Sequence, residues 1–181
     1  VPVRVAAPLD CLRRLIEAAD QSPYPTRDRA ILAVLLGCGV RRAECASINL
    51  ETIRLDADGS GELQVEAKRV KGQTTQMRTV AFDRATGKYI GAHLDTLLGR
   101  SGPFFYSRRG PRLTPMGVYK AVKHIIRLAG LEEQIQGCHD LRRYFTTYYS
   151  RNRRGEGHGH LLSKQLGHST YRMTAHYSLQ D

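Results

Sequence analysis

Three short patterns hold the residues of this sequence best suited to chemistry on a phosphate. Gly39-Val40-Arg41-Arg42-Ala43-Glu44 follows a glycine break, where a helix should start. His139-Asp140-Leu141-Arg142 sets a histidine and an arginine three residues apart, on one face of a helix. Leu166-Gly167-His168 is followed nine residues later by Tyr177. Lys71, in a Lys71-Gly72-Gln73 turn, stands between the first pattern and the second. Taken singly, each has a plain structural reading. An arginine at a helix start is most often solvated, a His-x-x-Arg pair is often a local contact, and a tyrosine near a C-terminus usually packs. Taken together they suit an anionic partner. Guanidinium forks match phosphate oxygens in a bidentate way that a lysine ammonium cannot.

The charge balance points the same way. The 181 residues carry 28 Lys and Arg against 17 Asp and Glu, a net charge of +11. A domain this basic is expected to meet a polyanion, most often nucleic acid. The bases are also clustered. Thr96 to Leu131 holds seven bases and no acid, Leu141 to Gly155 holds five arginines and no acid, and Gly157 to Gln180 has no acid at all. Such stretches suit the dense charge of a duplex backbone. Arg108, Arg109, Arg112, Arg143, Arg151, Arg153 and Arg154 are therefore the expected DNA contacts. Four cysteines form no C-x-x-C pair and read as reduced thiols. The longest apolar run, Ala30 to Val40, is internal and too short to span a bilayer. A cytoplasmic location with no membrane association is expected.

Several elements must position these residues. Leu9 to Ala19 has helical apolar spacing, and Ser22 to Pro25 is a turn. Thr26 is expected to cap a helix through the apolar stretch to Gly37 or Gly39. A second short helix runs from Arg41 to about Ile48. Thr52 to Leu55, Leu63 to Ala67 and Met77 to Phe82 read as strands, with turns at Asp58 to Gly61 and at Lys71 to Gln73. Helix returns at about Thr86 to Leu98. Pro103 to Tyr106 is a short buried segment. Thr114-Pro115 opens a helix that Gly130 closes, and His139 to about Arg151 is helical. Arg153 to His160 reads as a polar loop, with short helices at Leu161 to Leu166 and Thr170 to about Tyr177. The fold class is mixed α/β, mainly α-helical, with a small three-stranded antiparallel sheet.

The ordered set resembles the catalytic domain of the tyrosine recombinase (phage integrase) family, over essentially the whole chain. The family's first box, G-[LVM]-R-x-x-E, is matched by Gly39 to Glu44. Its H-x-x-R box is matched by His139 to Arg142, and its L-G-H box with a Tyr nine residues on by Leu166 to Tyr177. The resemblance implies that residues 1–8 are a linker from a missing N-terminal DNA-binding domain and that 9–181 form the catalytic domain. The first residue, Val1 rather than Met, fits a piece of a longer protein. The resemblance implies that Arg41 and Arg142 clamp the scissile phosphate and that Tyr177 is the nucleophile. It assigns His139 as the histidine that shares the tyrosine's proton, and His168 as a hydrogen-bond donor or packing group. Lys71 is implied as the general acid on the turn, with Lys68 as its rival, and Glu44 as a support from the helix. The implied reaction is site-specific recombination through a 3′-phosphotyrosine, with no cofactor and no metal. The implied partner is double-stranded DNA, bound as a tetramer by the full-length protein and by this piece as a monomer, in the nucleoid. The glycine- and arginine-rich stretch after Arg142 departs from the family's usual apolar helices there.

Other readings stay open on sequence alone. A type IB topoisomerase uses a similar residue set. A non-catalytic nucleic-acid-binding module would need only the basic stretches. A metal-dependent nuclease would use a metal, and His158, His160, His168 and His176 could form a metal site, although Cys and carboxylate ligands at zinc-like spacing are missing.

Overall fold

The structure, a computed structural model, describes residues 8–67, 72 and 74–152. Its centre is a helix, α2 (Pro25–Cys38). Ala30 to Leu35 is apolar on every side, so no face of this helix can stay in water. Ala30, Ile31, Leu32, Val34 and Leu35 are fully buried. Each buried Ile or Leu contributes about 2–3 kcal/mol by leaving water. The helices α4 (Arg84–Asp95), α5 (Pro115–Leu128) and α6 (Cys138–Asn152) enclose it. α1 (Leu9–Ala18) is amphipathic instead. It turns Leu12, Leu15 and Ala18 inward and lies on α5. The short α3 (Arg42–Ser47) links α5 to the sheet.

The sheet is antiparallel in the order β1 (Arg54–Leu55), β2 (Gly61–Glu66), β3 (Met77–Phe82). Its register runs from Gly61 opposite Phe82 to Glu66 opposite Met77. Alternation decides the faces: Leu63, Val65, Val80 and Phe82 point into the core. The ladder continues one step, with Ala67 N–H donating to the Gln76 carbonyl at 2.8 Å.

The order and type of the described elements match the sequence expectation, and several boundaries move. α2 starts at Pro25, one residue before Thr26, and its N-cap is Tyr24 with no side-chain cap. Pro fits the first helical position because its missing N–H would have no partner there. Arg41 is the N-cap of α3 rather than its first residue. Thr52 belongs to a 3-10 turn, Leu50–Thr52, not to β1. α4 starts earlier than Thr86 because Asp83 caps it, accepting from the Thr86 N–H at 2.9 Å. It also stops at Asp95, which leaves Leu98 exposed. Thr114 and Pro115 open α5 as expected, and Thr114 accepts from the Gly117 N–H at 3.0 Å.

Phe104 and Phe105 are fully buried, their ring centroids 4.5 Å apart. His93 joins them: its ring meets Phe104 edge-on at 5.0 Å, and its Nε2–H donates to the Phe104 carbonyl at 3.1 Å. Burial pushes the pKa of His93 down to about 4. This is a neutral core histidine. Among the described residues, no helix is long and apolar enough to cross a membrane.

Candidate active site

The site is built where α2 ends. Gly39 takes φ 63°, a left-handed conformation open to glycine at little steric cost. The chain reverses there, buries Val40 and delivers Arg41 to the N-cap of α3. Glu44 sits one turn in. Its carboxylate reaches back to the Arg41 N–H at 2.7 Å, satisfying a helix-end donor that would otherwise lack a partner. The same carboxylate accepts from Arg41 Nη1 at 3.0 Å.

Two further guanidinium groups converge on Glu44 from elsewhere in the chain. Arg78, on β3, donates from Nη2 at 2.9 Å and from Nε at 3.4 Å. Arg142, on α6, places Nη1 3.8 Å from Glu44 and donates from it to the Gly39 carbonyl at 2.6 Å. Glu44 is only 2% exposed and Arg142 6%, so both would be costly to bury alone. Burial by itself pushes the Glu44 carboxyl up. The hydrogen bonds and charges of Arg78 and Arg41 outweigh it and hold the pKa below its ordinary value. Glu44 is therefore ionised at neutral pH, and the cluster sets three guanidiniums against one carboxylate.

His139 and Arg142 share a face of α6. Partial desolvation lowers the pKa of His139, Arg143, Arg142 and Arg41 lower it further, and Asp140 opposes them. His139 thus lies within the field of both site arginines and stays neutral at pH 7, able to accept a proton.

The structure brings together Arg41, Glu44, His139 and Arg142 from two separate stretches of chain, and Arg78 from a third. Lys71, Lys68, His168 and Tyr177 lie outside the described residues, as do Arg153, Arg154 and the short helices expected after His160. Arg151 falls within α6. Arg108 and Arg109 are exposed in the loop before α5. Arg143 is half-buried and pairs with Asp140 at 3.1 Å. Arg112 was expected on DNA, yet its guanidinium turns inward. Its Nη1 donates to the Ala46 carbonyl at 2.8 Å and the Ile48 carbonyl at 3.3 Å, and its Nη2 to Asn49 Oδ1. It holds the C-terminal end of α3. Among the described residues no cluster of His, Cys, Asp or Glu could hold a metal ion. His158, His160, His168 and His176 lie outside them.

Sequence reasoning missed Arg78. The signal was its position: in Met77 to Phe82 the inward alternation of Val80 and Phe82 extends to residue 78. An arginine on the inner face of a strand asks for a buried anion.

Residues 8–181 match the model of the phage integrase family, and the chain belongs to that family. It is 31% identical to tyrosine recombinase XerD of Pseudomonas putida, over 90% of this chain and 54% of that protein. It is 30% identical to tyrosine recombinase XerC of Alcanivorax borkumensis, over 97% of this chain and 56% of that one. The crystal structure of XerA recombinase superimposes with a TM-score of 0.79 at 26% identity, covering 100% of this chain and 60% of that chain. XerH site-specific recombinase bound to its difH substrate shares the fold, with a TM-score of 0.75 at 22% identity, over 99% of this chain and 51% of that one. The chain spans about half the length of the curated relatives it matches.

Proposed function

We propose that this chain is the catalytic part of a site-specific DNA recombinase that cuts and rejoins strands through a 3′-phosphotyrosine. The observation that carries this reading is the Glu44-centred convergence of Arg41 and Arg142 beside a neutral His139, in a chain that belongs to the phage integrase family. The phenol oxygen of Tyr177 attacks the scissile phosphorus while the bond from phosphorus to the 5′-oxygen breaks. Negative charge grows on the non-bridging oxygens, and Arg41 and Arg142 stabilise it. A donor of this kind is worth roughly 10²–10³ in rate. A tyrosine pKa of about 10 requires help at neutral pH, and His139 accepts or shares that proton. Lys71, or Lys68, gives a proton to the departing 5′-oxygen, and His168 hydrogen-bonds the phosphate or packs the site. Attack by another strand's 5′-hydroxyl then reverses the step and returns the phenol. The covalent link keeps the energy of the broken bond, so rejoining needs no ATP.

Double-stranded DNA is the substrate on this reading, contacted by Arg108, Arg109, Arg143, Arg151, Arg153 and Arg154. A DNA-bound XerH and a lambda integrase dimer on a core site share this fold, and both support it. The full-length protein would assemble as a tetramer on DNA at the nucleoid, with residues 1–8 joining a DNA-binding domain to the catalytic domain at 9–181. Incubating the full-length protein with a nicked suicide substrate in EDTA should trap a covalent adduct, and Tyr177→Phe should abolish it. An adduct that survives Tyr177→Phe, or that requires a divalent metal, overturns the assignment.

A further inference from the structure

Glu44 holds Arg41 and Arg142, but its own charge works against them. A lone buried carboxylate beside two guanidiniums would draw both inward and offset the positive charge that a phosphate needs. The structure meets this with a third base. Arg78 covers both carboxylate oxygens, Nη2 on Oε2 at 2.9 Å and Nε on Oε1 at 3.4 Å. Its side chain is 12% exposed, against 30% for Arg41, so it lies on the inner side of the cluster while Arg41 lies nearer the surface.

The pairing also closes the sheet onto α3. Arg78 is the second residue of β3, the strand that follows Lys68 and Lys71 in the sequence. On the other strand, the Glu66 N–H at the end of β2 donates to Ser47 Oγ at 3.0 Å, and that hydroxyl donates to the Glu44 carbonyl at 2.7 Å. Both β2 and β3 are therefore tied to the helix that holds the arginine site, β3 through Arg78 and β2 through Ser47.

We infer that Arg78 is a positioning residue for strand cleavage: it neutralises and fixes Glu44, and so sets Arg41 and Arg142 for the phosphate. This role rests on the recombinase reading above. Arg78 does not touch DNA on this account. Its loss should slow the chemical step and leave DNA affinity nearly unchanged. Displacing a catalytic group by about 1 Å can cost on the order of 10²-fold in rate.

The test uses the full-length protein on the nicked suicide substrate at saturating enzyme, with single-turnover adduct formation as the readout. Arg78→Gln should lower the rate about 100-fold and leave the Kd for DNA within about threefold. Arg78→Lys keeps the charge but loses the bidentate fork, and should recover to about 10-fold below the unsubstituted protein. Because Arg78 acts through Glu44, Arg78→Gln added to Glu44→Gln should bring little further loss. Rates within threefold of the unsubstituted protein for both Arg78 variants overturn the inference. So do losses that multiply in the double variant, or a fall confined to DNA affinity. If Arg78→Gln fails to fold, Arg78→Lys decides alone, at matched melting temperature. An unsubstituted protein that forms no adduct overturns the recombinase reading and this role with it. A normal adduct alongside unaffected Arg78 variants overturns this role only.

Discussion

Glu44 and His93 are both buried ionisable residues, and their surroundings push them to opposite ends. Glu44 is held charged by Arg78 and Arg41. His93 is held neutral because desolvation among Phe104 and Phe105 opposes a charge, and this outweighs its bond to the Phe104 carbonyl and the charge of Asp28, which work the other way. Their linkage to stability falls in two pH windows. For His93, the unfolded chain takes up a proton below about pH 6.5, while the folded chain resists it down to about pH 4. Stability should therefore fall by about 2 kcal/mol between pH 6.5 and 5. The stability that Glu44 contributes is full above its ordinary pKa and disappears only as pH drops through the lowered one. Urea midpoints at pH 7 and pH 5 should show the first loss, and His93→Gln should flatten it. A curve equally steep in that variant would assign the loss to other groups.

The decisive element junction is the turn between α2 and α3. Gly39 has φ 63°, and a Cβ there would lie 2.2 Å from Phe145 Cδ1 on α6. Its carbonyl also accepts from Arg142 at 2.6 Å. Gly39→Ala therefore adds backbone strain of about 1–2 kcal/mol and an overpacking cost of about 1–3 kcal/mol. It pushes α6, and Arg142 with it, away from Arg41. Gly99 is the matched control, with φ 79° and open space around its Cβ. Gly99→Ala should cost only the strain and leave cleavage unchanged, whereas Gly39→Ala should lose both stability and cleavage. Equal melting temperatures for the two variants would remove the packing argument at this junction.

Across the whole molecule, on the recombinase reading, the net charge of +11 should dominate an encounter with DNA. If roughly 6–10 phosphates are contacted, affinity should fall about 10³–10⁵-fold between 50 and 200 mM salt. A titration by fluorescence anisotropy measures that slope. A flat response would mean that the basic stretches face away from DNA. Arg112 should not contribute, because its guanidinium is engaged with the carbonyls at the end of α3. Arg112→Ala should leave the salt slope unchanged while lowering stability.

The amino-acid sequence by itself determined most of the element order. Helical spacing in Leu9 to Ala19, the unbroken apolar run at Ala30, the Thr114-Pro115 start and the strand alternation are local signals. Local backbone preferences and burial read them in the same way. The boxes at Arg41 and at His139 were legible for the same reason, since each spans a few residues. Charge was legible only as a total and as runs along the chain. Where a given guanidinium points depends on which distant group it meets. Arg142 finds the Gly39 carbonyl 103 residues away, and Arg78 finds Glu44 across 34. Those meetings exist only once α6 and β3 have packed against the ends of α2 and α3. Tertiary structure therefore decided which arginines gather on Glu44 and which one serves the backbone.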